Sequence, residues 1–455
     1  MQVAGVELNG ARVLVLGLAR SGLAAVGLLA LNGARVTAAD SRPLDQIAGA
    51  ADALRSIGAV VFTLQTGDAA KDHDLVVISP GVPADALVLV AARRAGIPVI
   101  GEVELASYFL QGPIIGVTGS NGKTTTTSLI GHILRESGIA AQMGGNIGTP
   151  PSAIVASSRR DQWNVLELSS FQLETISHFR AQVGVCLNVT PDHLDRHGSM
   201  EAYAGAKRRL FETQTAGGFA VLNADDIRCV SFAATMPSRP LWFSLHNPVD
   251  PGLWRDSGGR LLFDGEPFLQ AADIPLRGLH NVENVLAAAG AARLAGASLL
   301  QIAAAVKTFP GVEHRLERVL TVNGVEYFND SKATNVDAAL KAIEAFGAGL
   351  WIILGGKDKG GDYRLLREPL GAKAHAALLV GAASEKIASQ LAGAVPLVHC
   401  ETVGEAVRHA HANAKQNDVV LLAPACASFD QFDNFEHRGR VFKDLVRGLK
   451  EGEAA

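Results

Sequence analysis

The sequence predicts an α/β protein with three consecutive domains, and three observations support this fold class. A chain of 455 residues exceeds what one hydrophobic core normally holds. Continuous apolar, β-rich segments alternate with longer helical segments, a pattern typical of parallel sheets covered by helices on both faces. A break containing proline and glycine, FPGVEHRLE, separates two such series at residues 309–317. We therefore expect domains at residues 1–101, 102–311 and 312–455.

The composition argues against several classes of protein. Lys plus Arg number 41 and Asp plus Glu number 45, a net charge of −4, which does not favour nucleic acid as a partner. No apolar run reaches the roughly 20 residues of a membrane-spanning helix. The four cysteines lie far apart, as expected of reduced thiols in a cytosolic protein. We therefore expect a cytosolic protein whose partners are small molecules.

The first domain is predicted to be Rossmann-like. The strand RVLVLGL (12–18) leads into a buried helix, SGLAAVGLLAL, and the strand RVTAAD follows. Because a complete strand precedes it, that helix is not interpreted as the core of a signal peptide. Further units are expected in DLVVISPGV, ADALVLVAARRAG and IPVIGE. The turn GLARSG resembles a dinucleotide-binding turn, and Asp40 ends the next strand, but Ala19 replaces the second glycine. An NAD site is therefore one interpretation, and the missing glycine weakens it.

The second domain opens with a candidate phosphate loop, VTGSNGKTTTTS, at residues 117–128. It lies between the strand PIIGV and a helix whose apolar stripe has helical spacing. Backbone N–H groups at a helix start favour a phosphate there, and Lys123 can reach the terminal phosphates. Thr124 or Thr125 can ligate magnesium. The usual pattern requires glycine where this chain has Val117, so a glycine-rich turn with a chance lysine is the alternative.

Acidic and imidazole groups are expected at the ends of the next two strands, NVLELSS and VGVCLNVT. Glu167 lies near the carboxyl end of the first, where ligand sites of open α/β sheets are found. A buried carboxylate there needs a partner or a metal. The second strand leads into PDHLDRHG, which is either a polar loop or the source of one functional residue. We choose His193.

A lysine on an apolar helix face is the third candidate of this domain. In SMEAYAGAKRRLFE, Ser199 can cap the helix, and Lys207 shares a face with Tyr203, Leu210 and Phe211. The common explanation is a lysine whose stem packs while its amine reaches water. A lysine held in a site loses its proton readily, and a neutral amine can add carbon dioxide to give a carbamate, a magnesium ligand.

The rest of the sequence predicts short strands between 215 and 275, an Ala-rich helical region at 281–308, and then a second Rossmann-like domain. Its strands are expected in GLWIILGG, AALLVG and VVLLAPA. Lys332 and Thr334 follow the strand of YFNDSKATN and can bind anionic oxygens. Ser428 and Phe435 lie in the loop after VVLLAPA. Together these residues can hold an amino acid with two carboxylates, although each alone is compatible with ordinary turn chemistry.

Several of these motifs resemble the Mur ligase family of amide-forming enzymes. TGSNGKTT is similar to their ATP loop and to that of the folylpolyglutamate synthetases, which implies a central domain like a P-loop ATPase. ELSSFQLE, LNVTPDHLDRHG, YAGAKRRLFE, DSKATN and PACASFDQFDNFEHRG resemble the branch that adds D-glutamate to UDP-N-acetylmuramoyl-L-alanine. The resemblance implies ATP and two magnesium ions. The loop threonine, Thr124, and Glu167 would bind one ion, and His193 and a carbamylated Lys207 would bind the other.

The resemblance also implies which residues bind each substrate. ATP would contact the loop and the domain junction, at Gly119, Asn121, Gly122, Lys123, Thr124, Thr125, Asn281, Arg315 and Asp330. The UDP-linked substrate would lie in the first domain and reach the second, at Leu18, Ala19, Arg20, Ser21, Asp40, Ser41, Arg42, Ser79, Gly81, Asn146 and His193. D-Glutamate would bind in the third, at Lys332, Thr334, Lys359, Ser428 and Phe435, with Lys357 as the alternative to Lys359.

The implied reaction is ATP-dependent ligation in peptidoglycan precursor synthesis, and so in cell shape and division. The resemblance also implies a monomer in the bacterial cytoplasm. ATP would phosphorylate the L-alanine carboxylate, and the D-glutamate amine would attack the acyl phosphate and release phosphate. Lys123, Glu167, His193, Lys207 and Lys332 are the expected catalytic residues, and the third domain is expected to close by a hinge. The alternatives are a sister ligase, a folate-polyglutamylating enzyme, a nicotinamide-dependent oxidoreductase and a non-catalytic nucleotide-binding module.

Overall fold

The computed structural model describes residues 1–63, 67–146 and 148–451. The chain separates into two compact units, the first formed by Met1–Asp273 with Val282–Phe309 and the second by Ile274–Asn281 with Pro310–Ala455. Two large sheets belong to the first unit and one to the second. Strands and helices alternate around each sheet, which confirms the predicted α/β class. Within the described residues, no helix is long and apolar enough to cross a membrane.

The first large sheet follows a two-stranded ribbon, β1 Gln2–Val3 and β2 Val6–Glu7. Its elements are β3 Arg12–Leu16, α1 Arg20–Leu31, β4 Arg35–Asp40, α2 Ala48–Ser56, β5 Val60–Thr63, β6 Leu75–Ile78, α3 Leu87–Arg94, β7 Val99–Gly101 and α4 Glu102–Ser107. The sheet is fully parallel, with strand order β5-β4-β3-β6-β7. Val13 and Val15 pack on one face, while Leu14 and Leu16 pack on the other, because side chains alternate along a strand. The helix predicted after the first strand is present as α1.

The second large sheet has nine strands. These are β8 Ile114–Thr118, β9 Ala141–Gly145, β10 Trp163–Glu167, β11 Val183–Cys186, β12 Phe219–Asn223, β13 Arg239–Ser244, β14 Gly252–Arg255, β15 Arg260–Phe263 and β16 Glu266–Gln270. Their order is β16-β15-β14-β13-β12-β11-β8-β10-β9, and every neighbouring pair from β9 to β14 is parallel. The last two strands are an antiparallel addition to the parallel sheet that the sequence predicts. Asp264 and Gly265 both have positive φ, 47° and 86°, which is the geometry of a two-residue hairpin turn.

Helices cover this sheet, and the Ala-rich region forms two helices. The helices are α5 Lys123–Glu136, α6 Pro151–Ile154, α7 Ser170–Leu173, α8 Leu194–His197, α9 Met200–Glu212, α10 Ile227–Phe232, α11 Leu279–Leu294 and α12 Leu299–Lys307. Gly296 adopts a φ of 109° after α11, and Ser298 caps α12 in a reciprocal pair with Gln301. The break therefore has a local cause within the sequence AGAS.

Two buried glutamates of α4 connect the first two sheets. Glu104 accepts hydrogen bonds from the backbone N–H groups of Ser177, His178 and Phe179, at 2.9, 2.6 and 3.0 Å. Glu102 accepts one from the backbone of Ser152, at 2.6 Å. Both glutamates are 1% exposed. Glu104 thus joins the end of the first sheet to the segment before β11 by charge-assisted hydrogen bonds, and Glu102 joins it to the start of α6.

The third large sheet, of the second unit, has order β17-β18-β22-β19-β20-β21 and is parallel except for β17. A two-residue turn with positive φ, Asn323 and Gly324, connects this antiparallel edge strand to the next strand. The elements are β17 Glu317–Val322, β18 Val325–Asn329, α13 Val336–Glu344, β19 Leu350–Gly355, α14 Arg367–Lys373, β20 Ala374–Val380, α15 Ser384–Leu391, β21 Leu397–Glu401, α16 Val403–Asn413, β22 Val419–Leu422 and α17 Phe435–Glu451. The four cysteines are buried and form no disulfide, as predicted.

Candidate active site

The candidate phosphate loop connects β8 to the start of α5, as the sequence predicts. Gly119 and Gly122 adopt φ values of 149° and 84°, in the region that favours glycine. A Cβ at Gly122 would also clash with the side chain of Asn284, which lies on α11. The loop therefore requires glycine at these two positions, and it leads directly into a helix of 14 residues. Such a helix start favours an anion.

Two lysines meet at this loop. The Nζ of Lys123 donates to the carbonyl oxygens of Gly119 and Ser120, both at 2.9 Å. The Nζ of Lys207 donates to the same Gly119 oxygen, at 2.8 Å. Burial, together with the positive charge of Lys123, lowers the pKa of Lys207 to about 7. Lys207 is fully buried on the predicted face of α9 and does not extend to water.

The segment after β11 holds the loop in place. The backbone N–H of Asn121 donates to Oδ1 of Asn188, at 2.8 Å, and Ser120 Oγ donates to the carbonyl of Thr190, at 2.9 Å. The hydroxyl of Tyr203 lies 3.0 Å from Ser120 Oγ. Sequence reasoning missed Asn188, although it lies in the motif LNVT. Its only sequence signal is a polar side chain at a strand end.

The helix start and the neighbouring strand provide oxygen atoms that suit magnesium. Thr124 and Thr125 are buried at the first turn of α5, and Thr125 Oγ1 has no hydrogen-bond partner among the described residues. Glu167 ends β10, which pairs with β8, and is 2% exposed. Asn146 Nδ2 donates to Glu167 Oε1, at 3.1 Å. Hydroxyl and carboxylate oxygens are hard donors that fit magnesium. In the described part of the chain, no group of three His, Cys, Asp or Glu forms a metal site by itself.

The two histidines after β11 differ in their surroundings. His193 has a φ of 52°, is half-exposed, and packs against Phe171 with ring centroids 4.8 Å apart. His197 is buried, with Nε2 3.0 Å from Ser170 Oγ and Nδ1 3.2 Å from a carboxylate oxygen of Glu174. Burial lowers the pKa of His197. His197 is thus engaged within the protein, and His193 is the more accessible of the two.

Predicted substrate residues of the first domain surround the turn after β3. Asp40 accepts from the backbone N–H of Leu18, at 2.7 Å, and from the backbone and guanidinium of Arg42, each at 2.9 Å. The Arg42 side chain holds the pKa of Asp40 well below its usual range. Ser79 Oγ donates to the carbonyl of Gly17, at 2.7 Å. The remaining predicted residues lie at the start of α1 or in exposed loops, namely Ala19, Arg20, Ser21, Ser41 and Gly81.

In the second unit, the loop after β18 carries Asp330 and Lys332. Burial raises the pKa of Asp330 to about 6. The Nζ of Lys332 lies 5.7 Å from the ring centroid of Phe435. Thr334 donates its backbone N–H to the carbonyl of Lys332, at 2.8 Å. Arg315 is partly buried, between two residues of positive φ, and its Nε has no hydrogen-bond partner in the described ranges.

Two further loops of this unit are paired with each other. Lys357 and Ala427 exchange backbone hydrogen bonds of 2.9 and 3.1 Å, so the turn containing Lys359 is held against the loop that continues to Ser428. Ser428 is buried, whereas Lys357 and Lys359 are both exposed. The geometry therefore does not choose between the two lysines. Asn281, at the start of α11, donates to the carbonyl of Arg277, at 2.7 Å.

Three protein-family models match successive parts of the chain. A Mur ligase MurD-like N-terminal domain matches residues 11–101, a Mur ligase middle domain matches 117–292, and a Mur ligase glutamate ligase domain matches 314–426. The chain is 58% identical to a UDP-N-acetylmuramoylalanine--D-glutamate ligase of Solibacter usitatus, over 98% of this chain and 99% of that one. It is 52% identical to the Acidobacterium capsulatum protein of the same name, over 97% of each chain.

Solved structures agree in fold. The UDP-N-acetylmuramate-alanine ligase MurC of Thermotoga maritima superimposes with a TM-score of 0.62 at 19% identity, covering 96% of this chain and 100% of that one. The MurF ligase of the same organism, solved with ADP, also gives a TM-score of 0.62, at 18% identity, covering 97% and 96% of the two chains.

Proposed function

Because this chain belongs to the Mur ligase family, we propose that it joins D-glutamate to UDP-N-acetylmuramoyl-L-alanine, with formation of ADP and phosphate. It is an ATP-dependent amide-forming ligase of peptidoglycan precursor synthesis. The geometric observation that carries the proposal is the position of the phosphate loop and Glu167 at the carboxyl ends of the adjacent strands β8 and β10, with Lys207 of α9 hydrogen-bonded to the loop. A nicotinamide-dependent oxidoreductase would leave this assembly unused.

The chemistry explains why a phosphate site is needed. A carboxylate is a poor acceptor for an amine, so its oxygen must first become a leaving group. Transfer of the terminal phosphoryl group of ATP to the L-alanine carboxylate forms an acyl phosphate. The D-glutamate amine then attacks the carbonyl carbon, and phosphate departs from a tetrahedral intermediate. Lys123 would neutralise charge on the transferred group, while Lys332 and His193 would stabilise the tetrahedral oxygens.

Magnesium would be held by oxygen and nitrogen donors around the loop. We assign Thr124 and Glu167 to one ion and His193 and a carbamylated Lys207 to the other. Bound magnesium would neutralise the phosphates during transfer. The buried carboxylate of Glu167 supports the first assignment, as does the pair of buried threonine hydroxyls at the helix start. Of that pair, Thr125 is the alternative ligand.

Carbamylation would change the charge balance at the loop. Lys207 is enclosed beside Lys123, with its amine directed at the carbonyl of Gly119. Addition of carbon dioxide to the neutral amine releases a proton and leaves an anionic carbamate. A repulsive pair of cations would then become an attractive pair of opposite charges. This arrangement supports the proposal, and it requires no change of charge on any other residue.

The substrate assignments follow the three domains predicted at 1–101, 102–311 and 312–455. We assign the UDP-linked substrate to the turn around Leu18 and Asp40, the loop Ser79–Gly81, and then Asn146 and His193. We assign adenosine to Asn281, Arg315 and Asp330, and D-glutamate to Lys332, Thr334, Lys359, Ser428 and Phe435. We further propose a cytoplasmic monomer.

Phosphate release tests this function directly. Release should require ATP, magnesium, UDP-N-acetylmuramoyl-L-alanine and D-glutamate together, and omission of any one should abolish it. Replacement of D-glutamate by other amino acids separates this reaction from that of a sister ligase. Release that continues without D-glutamate would refute the proposal. Tight NADH binding without UDP binding would instead favour the oxidoreductase alternative for the first domain.

A further inference from the structure

Arg196 connects the first two domains at a position that the reaction scheme does not use. It lies in α8, three residues after His193. Its guanidinium donates to the carbonyl oxygens of Pro80, at 2.9 Å, and Val82, at 3.1 Å. It also donates to a carboxylate oxygen of Glu174, at 3.2 Å. One side chain of the second domain therefore holds two backbone carbonyls of a loop in the first.

The surroundings of Arg196 restrict its position. Its guanidinium carbon lies 4.2 Å from the ring centroid of Phe171, on α7, and its side chain is 20% exposed. The aromatic ring that supports Arg196 on α7 also packs against His193. A planar guanidinium with several donors in fixed directions suits two carbonyls and a carboxylate at once. A lysine can place its single amine on only part of this set.

The loop that Arg196 holds is anchored to its own domain at both ends, since the backbone N–H of Ser79 donates to the carbonyl of Leu16, at 2.9 Å, and Val82 packs on the core. Ser79 Oγ donates to Gly17, and the backbone N–H of Val82 donates to the carbonyl of Ser79, at 3.1 Å. Gly81, between the two carbonyls that accept from Arg196, is exposed. Arg196 therefore connects the carbonyls of this loop directly to α8, the helix that begins after His193.

We infer that Arg196 is a positioning residue for the UDP-linked substrate, because it fixes the loop Ser79–Val82 relative to His193. This inference rests on the proposed function, which assigns both the loop and the histidine to that substrate. Arg196 itself is not assigned a contact with the reacting atoms. Its loss should weaken binding of one substrate and leave the other two unaffected.

The test compares Arg196→Lys with wild type by steady-state kinetics. The KM for UDP-N-acetylmuramoyl-L-alanine should rise about tenfold, equivalent to about 1.4 kcal/mol. The KM values for ATP and D-glutamate should stay within about twofold. Arg209→Lys is the matched control, because Arg209 donates to one carbonyl, of Ile176, within its own domain. Its three KM values should match wild type.

Two more measurements keep the inference falsifiable. Calorimetric titration of the UDP-linked substrate without ATP should show weaker binding to Arg196→Lys. If the variant does not fold, Glu174→Gln decides, because it keeps the arginine and removes only its counter-charge. It should raise the same KM about threefold.

An unchanged KM, or an equal rise in all three, overturns the inference. If the wild-type protein does not bind this substrate, both the inference and the proposed function are wrong. If the variants bind it and turn it over as the wild type does, only the inference is wrong.

Discussion

Replacement of Glu102 by glutamine should make the stability of the protein less dependent on pH. Glu102 is 1% exposed, and its Oε2 has no hydrogen-bond partner in the part of the chain described. Burial raises its pKa from 4.5 to about 7. The folded state therefore retains a proton that the unfolded state releases between these values, so wild-type stability falls as pH rises from about 4.5 to about 7. At about 1.4 kcal/mol per pKa unit, the full loss is about 3 kcal/mol.

The assay is chemical unfolding of wild type and Glu102→Gln at about pH 5 and about pH 8. Glutamine can still accept from Ser152 through its amide oxygen, but it carries no charge at either pH. The variant should therefore gain about 2.5 kcal/mol relative to wild type between the two conditions, from the same pKa difference. Any free-energy penalty from burying the amide group of the variant is the same at both pH values. The exposed Glu136→Gln is the control and should change the unfolding free energy little. An equal difference between variant and wild type at both pH values would refute the reasoning.

Three other predictions concern Glu104, which connects the first two sheets, and two residues of the phosphate site, Gly122 and Lys207. Glu104→Gln should lower the unfolding free energy by about 1–3 kcal/mol, because an amide NH2 cannot accept from the backbone donors, and an unchanged denaturation midpoint would contradict this. Gly122→Ala should weaken ATP binding at least about tenfold in calorimetry, through its positive φ and its clash with an asparagine. Gly138→Ala, with positive φ but open space, should leave ATP affinity unchanged. Lys207→Ala should lose phosphate release and regain part of it with a short carboxylic acid. Lys307→Ala, at an exposed ion pair, should keep full activity, and full activity of Lys207→Ala without the acid would exclude the carbamate.

The sequence predicts the loop around Lys123 well because its signals are local. A strand, two glycines, a lysine and an amphipathic helix follow one another within about 25 residues. Helical spacing also places Lys207 on the apolar face of its helix, but spacing alone does not decide whether the amine is buried or reaches water. Contacts between distant segments give no comparable signal. The Oδ1 of Asn188 that receives the N–H of Asn121, and the side chain of Asn284 that restricts Gly122, become visible only when the strands are ordered in the sheet.

Some differences between the predicted and the observed elements have local causes that are visible in the sequence. Asp264-Gly265 and Asn323-Gly324 are two-residue hairpin turns, and each connects an edge strand to its neighbour in an antiparallel pair. The sequence AGAS, which contains Gly296, divides the Ala-rich region. The role of Arg196 had no local sign, because its acceptors are backbone carbonyls more than 100 residues away.

The carboxylate of Glu104 has a thermodynamic consequence for the whole chain. Since three amide protons from the segment between α7 and β11 converge on it, unfolding of either of the first two sheets with its connecting segments would break these bonds. A heating scan should thus resolve two cooperative transitions, one for Met1–Asp273 with Val282–Phe309 and one for the remainder, although the chain contains three large sheets. In hydrogen-exchange experiments, the amides of Ser177, His178 and Phe179 should share the protection of the first sheet.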